Sequence, residues 1–330
     1  MQMKKAVLIL AHGSRRKEAN EQVIVMAKRL AKALSGAKVK AAFMEQAEPS
    51  IPDAVNSLVK DGVSEMIVFP YFLVKGVHTT TDIPELLEEC AKSAAHKITF
   101  KMFDPIGSNP GIFNFIRDLI FEEFISEDFA DVHPSKIEDK SFEMIENELE
   151  EGAISEEQKF ITKRVIHTTG DFDFIRTMRF HEKAIEAGIK AVTEKVPIYT
   201  DVSMVSSGIN KKHGHEVNCA LYEKETEAIS KEKGITKTEA SFINLGPKLN
   251  GAIVAVGNAP TALRRLVLMI RNNEIKPALV VGIPVGFVNA AESKKMLMNT
   301  DAPYITCIGR RGGSTIAAAI VNAFIKKVYG

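Results

Sequence analysis

Short apolar runs alternate with amphipathic stretches along the first 125 residues of the chain. An apolar run bounded by turn signals predicts a buried strand, and apolar residues three or four positions apart predict a helix. Strands are predicted at Ala6–Leu10, Val39–Phe43, Glu65–Phe69 and Ile98–Met102, and helices at Lys17–Leu34, Ile51–Asp61, Asp82–Ala94 and Gly111–Phe124. Strict alternation of β and α elements implies a parallel sheet covered on both faces.

The composition changes between Glu127 and Glu151, where ten acidic residues and two lysines occur. Such a run is usually a solvated face or a linker. Phe142, Ile145 and Leu149 nevertheless recur at helical spacing, so an amphipathic helix is predicted from about Ile137. The rest of the chain has 41 basic and 32 acidic residues, an excess that favours a polyanionic small molecule.

The second half repeats the α/β pattern, with clearer loop signals between its strands and helices. Strands are predicted at Lys195–Tyr199, Gly251–Gly257, Ala278–Gly282 and Tyr304–Gly309, and helices at Thr261–Arg271, Ala290–Met298 and Thr315–Lys327. Three consecutive strand–loop–helix units place three loops at the carboxyl edge of one sheet, where open α/β sheets bind ligands. The predicted fold class is therefore α/β, with two domains that are each a parallel-sheet α/β sandwich. They span residues 1–126 and 134–330 and are joined by a linker at 127–133.

Composition narrows the classes of function. The 330 residues include 43 basic and 42 acidic side chains, and this balance argues against a nucleic-acid partner. The three cysteines form no C-x-x-C pair and suit a reducing compartment. The first apolar run is too short for a signal peptide, and no run approaches the length of a membrane helix. A soluble cytoplasmic protein without a membrane partner is expected.

Two histidines and a carboxylate are predicted to meet at the carboxyl edge of the first sheet. His12 follows the first strand, with Gly13 permitting a tight turn and Ser14 a possible cap for the next helix. His78 follows the third strand, and Glu45 leaves the second. Two histidines and a carboxylate suit a divalent first-row metal. A histidine held by a loop carbonyl is the structural alternative for either position.

The second half offers His167 as its acid–base candidate. It lies between the apolar pair Val165-Ile166 and Thr-Thr-Gly170, a segment in which a tight turn would aim the ring into a pocket. Histidine titrates near neutral pH and so suits proton transfer. Asp171 or Asp173 would keep it protonated. A buried, hydrogen-bonded imidazole is the alternative.

Three further segments are candidates for binding roles. His213 and His215 flank Gly214 in a predicted mobile loop, and Met204 is predicted to belong to the core or a pocket wall, with the core favoured. Arg310-Arg-Gly-Gly-Ser-Thr lacks the spacing of a nucleotide-binding loop and is better suited to a carboxylate. No nucleotide cofactor is therefore expected.

Residues 1 to about 125 resemble the short-form sirohydrochlorin cobaltochelatases. The resemblance rests on four segments, namely His12-Gly-Ser-Arg, Phe43-Met-Glu-Gln-Ala-Glu-Pro-Ser-Ile51, Phe69-Pro-Tyr-Phe-Leu73 and Gly76-Val-His-Thr-Thr-Thr-Asp-Ile-Pro84. It implies metal insertion without nucleotide hydrolysis, with cobalt(II) as the substrate metal. The metal-site histidines of the family fall on His12 and His78, and Glu45 is an acid–base or substrate contact. Family members of this length build the cleft from two subunits, which implies a homodimer or a higher oligomer.

Residues from about 134 to 330 resemble the precorrin-8X or cobalt-precorrin-8 methylmutases. The matching segments are Ser141-Phe-Glu-Met-Ile, Arg164-Val-Ile-His-Thr-Thr-Gly-Asp, Asp201-Val-Ser-Met-Val, Gly257-Asn-Ala-Pro-Thr-Ala-Leu263, Gly282-Ile-Pro-Val-Gly-Phe-Val-Asn-Ala-Ala-Glu-Ser-Lys294 and Gly309-Arg-Arg-Gly-Gly-Ser314. The catalytic histidine of the family falls on His167. Asn289 departs from the pattern at a position where a small residue is expected.

The two resemblances together imply a bifunctional enzyme of cobalamin biosynthesis. Its substrates are tetrapyrroles and corrins, and the methyl migration is intramolecular and needs no external methyl donor. The substrate contacts implied are Ser14, Glu45, Ser141, Arg164, Ser203, Met204, Asn258, Thr261, Gly286, Arg310, Arg311, Gly313 and Ser314. Two alternatives remain open: a silent chelatase module that only binds tetrapyrrole or metal, and a chelatase that prefers nickel. A nucleotide-binding oxidoreductase is disfavoured because the dinucleotide fingerprint is missing.

Overall fold

The computed structural model describes residues 4–124, 132–149, 152 and 154–330. The chain divides into two compact units, residues 1–128 and 129–330. The linker proposed at 127–133 lies outside the described residues except for its last two positions. No helix in the described part is both long and apolar enough to cross a membrane.

The first unit is a parallel four-stranded sheet in the order β2-β1-β3-β4. The strands are β1 (Lys5–Ala11), β2 (Lys38–Phe43), β3 (Glu65–Pro70) and β4 (Thr99–Met102), and the helices are α1 (Lys17–Ala33), α2 (Ile51–Lys60), α3 (Ile83–Ser93) and α4 (Pro110–Phe121). All eight elements were predicted, although α4 ends at Phe121 and a 3-10 turn (Glu122–Phe124) completes the segment assigned to it.

Alternation along β1 builds a core on each face of this sheet, because successive side chains of a strand point to opposite faces. Leu8 and Leu10 pack with α2 residues such as Leu58 on one face. Ile9 packs with Val23 of α1 on the other. Burial on both faces explains why the strand is apolar from Ala6 to Ala11.

The second unit is a six-stranded sheet in the order β5-β10-β9-β8-β6-β7. The strands are β5 (Met178–Phe180), β6 (Ile198–Thr200), β7 (Val217–Asn218), β8 (Ile253–Val256), β9 (Leu279–Gly282) and β10 (Tyr304–Cys307). The helices are α5 (Ile137–Glu148), α6 (Glu156–Thr169), α7 (Phe174–Thr177), α8 (Ala184–Thr193), α9 (Ser203–Gly208), α10 (Lys224–Lys233), α11 (Lys237–Leu245), α12 (Pro260–Arg271), α13 (Ala290–Leu297) and α14 (Ser314–Tyr329). The predicted helix from Ile137 is present.

Two sequence expectations for this sheet need correction. The edge strand β5 pairs antiparallel with β10, so the sheet is parallel except at that edge. The strand predicted at Lys195–Tyr199 begins only at Ile198, because Lys195 adopts a left-handed conformation (φ 52°) that ends the preceding turn. The three units β8–α12, β9–α13 and β10–α14 occur as predicted and bring their loops to one carboxyl edge.

Candidate functional sites

His12 directly follows β1 and reaches the carboxyl edge of the first sheet through the turn at Gly13. Gly13 has a φ of 94°, and a Cβ atom there would lie 1.8 Å from the carbonyl oxygen of Glu45. The Glu45 amide in turn donates to the His12 carbonyl at 2.9 Å. Only glycine fits such a close backbone approach, so the predicted turn is confirmed and its cause is specific.

His78 faces His12 across this edge. The two ring centroids are 5.3 Å apart with an interplanar angle of 80°. His78 begins a helical turn (His78–Asp82) that continues into α3, so the helical segment starts four residues before the predicted helix at Asp82–Ala94. Helical spacing brings Asp82 Oδ2 within 2.7 Å of His78 Nδ1, which leaves Nε2 as the ring nitrogen available to a ligand.

The two histidines supply too few ligands for a closed metal site. Among the described residues, no group of three or more His, Cys, Asp or Glu side chains has the arrangement to hold a metal ion. A structural zinc site is closed by four protein ligands. His12 and His78 are two imidazoles, and Asp82 orients the second of them.

Three exposed apolar side chains precede His78 in the loop after β3, and no role was predicted for them. Leu73, Val74 and Val77 are each about 70% exposed in the loop after β3. Lys75 of this loop pairs with Asp104 at 2.8 Å. The backbone at Gly107 approaches the Leu73 carbonyl oxygen so closely that a Cβ atom on Gly107 would lie 1.6 Å from it. The signal in the sequence was an apolar loop beside a histidine.

Ser14 does not cap α1. Its backbone is held by Asn20, which accepts from the Ser14 amide at 2.9 Å and donates to its carbonyl at 2.7 Å. The Ser14 hydroxyl accepts from the Arg16 amide, and α1 begins one residue later without a side-chain cap. Ser14 therefore shapes the turn that carries His12, and Glu45 lies exposed opposite it.

In the second unit His167 lies on the last turn of α6, with its side chain exposed. Its Nδ1 atom is 2.8 Å from the Ser141 hydroxyl of α5, and its ring stacks on Phe142 at 5.2 Å. The tight turn expected around His167 comes three residues later, at Gly170 with a φ of 64°. The position of His167 on α6, and not a turn, therefore sets the direction of the ring.

Arg164 precedes His167 by one helical turn. Its guanidinium lies 4.7 Å from the centre of the Phe142 ring and is hydrogen bonded to Glu138 of α5. Lys326 also binds Glu138, at 2.8 Å. Hydrogen bonds from Lys326 and then Arg164 hold the pKa of Glu138 below its ordinary value, against the opposing effect of burial. Glu138 thus ties α5, α6 and α14 together beside the histidine.

Asp171 and Asp173 contact Arg311, which corrects the expectation that one of them pairs with His167. Arg311 Nη1 lies 2.7 Å from Asp173 and 3.0 Å from Asp171. Burial raises the pKa of Asp173, but the hydrogen bonds from Arg311 and Arg176 outweigh it and the net shift is downward. The carboxylates hold the loop after β10 in place.

Arg310 points elsewhere and is exposed. Its guanidinium lies 5.2 Å from the ring centre of Phe287, itself 83% exposed in the loop after β9. Of the two arginines predicted to bind substrate carboxylates, Arg310 is therefore stacked on an aromatic ring, and Arg311 already has carboxylate partners within the chain.

Asp201 organises the loop after β8, a role that the sequence pattern does not indicate. The buried carboxylate accepts three backbone hydrogen bonds, from Gly257 at 3.1 Å, Asn258 at 2.8 Å and Ala259 at 2.7 Å. Burial raises the pKa of Asp201, and these three bonds act in the opposite direction. The arrangement presents Asn258 to solvent at the carboxyl edge.

The remaining predicted contacts lie at the same edge with differing exposure. Ser203 and Met204 begin α9, and Met204 is 69% exposed, so the preference for a core position was wrong. The Thr261 hydroxyl is 2.9 Å from that of Thr236 and thus has a partner within the chain. Gly286 and Gly313 adopt positive φ angles, and Ser314, 7% exposed, begins α14.

Two other positions clarify the sequence pattern. Asn289 has a φ of 60°, a left-handed conformation that glycine and asparagine adopt most readily, and this explains its presence where a small residue is expected. His215 is 5% exposed, and neither of its ring nitrogens has a hydrogen-bond partner among the described residues. The loop at His213–His215 is present, but it contains a buried side chain.

Two family models match separate parts of the chain. Residues 136–327 match the family described as precorrin-8X methylmutase, and residues 6–123 match the family CbiX. The cobalt-precorrin-8 methylmutase of Priestia megaterium is 45% identical over 196 residues, which cover 58% of this chain and 87% of that protein. The corresponding enzyme of Leptospira interrogans is 40% identical over 204 residues, covering 57% and 91%. The structure of precorrin-8x methyl mutase from Thermus thermophilus has 38% identity and a TM-score of 0.55, covering 59% of this chain and 96% of its own.

Proposed function

Because the chain belongs to the precorrin-8X methylmutase family and carries a CbiX-family segment before it, we propose that it is a bifunctional enzyme of cobalamin biosynthesis. One unit inserts cobalt(II) into sirohydrochlorin, and the other converts cobalt-precorrin-8 (or precorrin-8X) to cobyrinate (or hydrogenobyrinate). The two activities are proposed to reside in domains that span residues 1–126 and 134–330. The cytoplasm is the proposed location, since it keeps the three free cysteines reduced.

The second unit is a methylmutase, an isomerase, and His167 is proposed as its acid. The reaction moves a methyl group from an α carbon of ring C to the adjacent β carbon within one molecule. An imidazolium at His167 protonates the macrocycle and so withdraws charge as the methyl group shifts. The observation that carries this role is the Ser141 contact at Nδ1, which leaves Nε2 of an exposed ring free for the substrate.

The carboxylates of the corrin substrate are proposed to bind along the carboxyl edge of the sheet. The N-termini of α12, α13 and α14 meet there, and such termini attract anions. Arg310 is exposed and has no carboxylate among its described contacts, so it is the charged partner favoured here. The other proposed contacts are Ser141, Arg164, Ser203, Met204, Asn258, Thr261, Gly286, Arg311, Gly313 and Ser314.

The test of the methylmutase role is turnover by His167→Ala, measured with product binding and thermal melting. Loss of turnover by a factor of roughly 100 to 10,000 is expected, with product binding and folding retained. His133→Ala is the matched control, since the His133 side chain is exposed and bonds only to Ser135 in the described contacts. Near-normal turnover by His167→Ala contradicts the role.

The first unit is proposed to bring the arriving metal to His12 and His78. Insertion releases two protons from the macrocycle, and imidazole nitrogens are suitable acceptors for them. Asp82 orients His78, while Ser14 and the exposed Glu45 are proposed substrate contacts. The exposed Leu73, Val74 and Val77 provide apolar surface for a macrocycle.

Incubation of the full chain with sirohydrochlorin and a single divalent metal tests the first unit. We expect cobalt to be inserted without any nucleotide, and absorbance measures the insertion. His12→Ala and His78→Ala should abolish it, whereas His96→Ala, which removes an exposed imidazole bonded to the Val63 carbonyl, should not. Faster insertion of nickel overturns the metal assignment, and absence of any insertion indicates a silent binding module.

A second copy of this chain is proposed to cover α4, which would make the protein a homodimer or a larger oligomer. Seven apolar side chains of α4 and the turn after it are 48–79% exposed: Phe113, Phe115, Ile116, Leu119, Ile120, Phe121 and Phe124. Contiguous exposed apolar surface of this kind marks protein interfaces. Light scattering should give at least a dimer, and Leu119→Glu should shift it toward the monomer. A wild-type monomer that inserts metal at full rate contradicts the proposal.

A further inference from the structure

Lys294 of α13 is fully buried, which is rare for a lysine. Its ammonium donates to the Arg311 carbonyl at 2.5 Å and lies 3.4 Å from Cys307 Sγ, and the described contacts include no carboxylate. Burial lowers the pKa of Lys294, with Cys307 opposing the shift. A buried amine without an opposite charge is costly, so its presence calls for a role.

The Arg311 carbonyl receives a second donor from inside the protein. The Cys307 thiol donates to it at 3.1 Å, so Lys294 and Cys307 converge on one oxygen. The same loop is also hydrogen bonded to the segment after β9, because the Gly313 amide donates to the Ile283 carbonyl at 2.9 Å. The backbone at Gly312 approaches that oxygen so closely that a Cβ atom on Gly312 would lie 2.2 Å from it. The backbone of this loop is thus fixed in one position.

The side chain of Arg311 connects this loop to the segment that follows the helix of His167. It bridges Asp171 and Asp173, which directly follow the end of α6 at Gly170. The main chain of Arg311 is therefore bound to Lys294, and its side chain is bound to the segment that ends the helix of His167.

We propose that Lys294 is a positioning residue of the methyl migration: by holding the Arg311 carbonyl, it fixes the loop after β10 against the helix that carries His167. The proposal rests on the role of His167 stated above. A displacement of about 1 Å at a reacting group can lower a rate by about a hundredfold. Loss of Lys294 should therefore lower kcat while the many carboxylate contacts of the substrate keep KM close to its original value.

The test is Lys294→Met in the full chain, with Lys295→Met as the matched control because the neighbouring Lys295 is exposed. We expect kcat for methyl migration to fall about 10- to 100-fold, with KM changed less than about threefold. Hydrogen exchange at the amides of residues 309–313 should become faster in the free protein. The control should change none of these values.

Unchanged kcat in a folded Lys294→Met variant overturns the proposal, whether or not exchange becomes faster. A rise in KM with unchanged kcat also overturns it. If Lys294→Met does not fold, Cys307→Ala decides: a smaller fall in kcat with faster local exchange supports the proposal, and unchanged values contradict it. Normal turnover by His167→Ala would instead refute the proposed acid, a result that is independent of the exchange measurement.

Discussion

Ser141 Oγ lies 2.8 Å from His167 Nδ1 and joins α5 to α6 at the proposed acid. The two residues are 26 positions apart, and helix packing alone brings them together. Phe142, the residue after Ser141, stacks on the same imidazole. One short helix therefore supplies both the hydroxyl that contacts Nδ1 and the aromatic ring that packs on the imidazole.

Ser141→Ala should lower methylmutase kcat by about tenfold while leaving the fold intact. The hydroxyl fixes which ring nitrogen faces the substrate, and its loss lets the imidazole adopt unproductive orientations. The measurement is kcat beside melting temperature, with Ser135→Ala as a control at an exposed serine outside the site. Equal kcat in the two variants would show that the contact does not orient the acid.

Asp82→Asn should slow metal insertion by about 10- to 100-fold, the usual effect of losing the partner of a metal-binding histidine. The amide keeps the shape of the carboxylate but not the charge that orients His78. Asp61→Asn is the control, since Asp61 pairs with Lys38 on the surface of the same unit. Insertion rates that remain the same for both variants would argue against the oriented histidine.

Gly13→Ala should destabilise the first unit and abolish insertion. The change combines a positive φ with a clash against the Glu45 carbonyl, and such strain costs about 2 kcal/mol or more. Gly36→Ala separates the two effects, because Gly36 also has a positive φ (81°) but no atom within 4 Å of its Cβ position. Urea unfolding of both variants is the measurement. If Gly13→Ala loses no more unfolding free energy than Gly36→Ala, the backbone must move to relieve the clash with the Glu45 carbonyl.

The stabilising contacts of Glu138 should make the stability of the second unit fall as the solution becomes acidic. Its folded-state pKa is depressed by Lys326 and Arg164, so its stabilising effect is complete above the ordinary glutamate value of 4.5 and is lost as the pH falls through the folded value. Glu138→Gln should therefore lower the free energy of unfolding at pH 7 by about 1 kcal/mol, which corresponds to a fall in melting temperature of roughly 2–4 °C. Near pH 3 the fall should be smaller. Glu143→Gln, an exposed change on the same helix, should have no such pH dependence.

Elements with a strong local pattern were predictable from the sequence, whereas contacts between distant segments were not. The three strand–loop–helix units after Gly251 and the turn at Gly13 follow from apolar runs and glycine, so they were predicted correctly. The partners of Asp171, Asp173 and Arg311 depend on how α6 meets the loop after β10, which periodicity does not encode.

The roles of Lys294 and Asp201 were missed for a related reason. Both are polar residues that are fully buried, and their partners are backbone groups. Sequence patterns indicate which side chains are apolar, but they do not reveal which backbone carbonyls or amides a buried charge will meet.

The most direct test of the bifunctional assignment compares His78→Ala and His167→Ala in the full chain, each assayed for cobalt insertion into sirohydrochlorin and for methyl migration. Each variant should lose one activity and keep the other near the wild-type rate. A wild-type chain unable to insert cobalt, or a loss of both activities in either variant, would contradict two independent active sites.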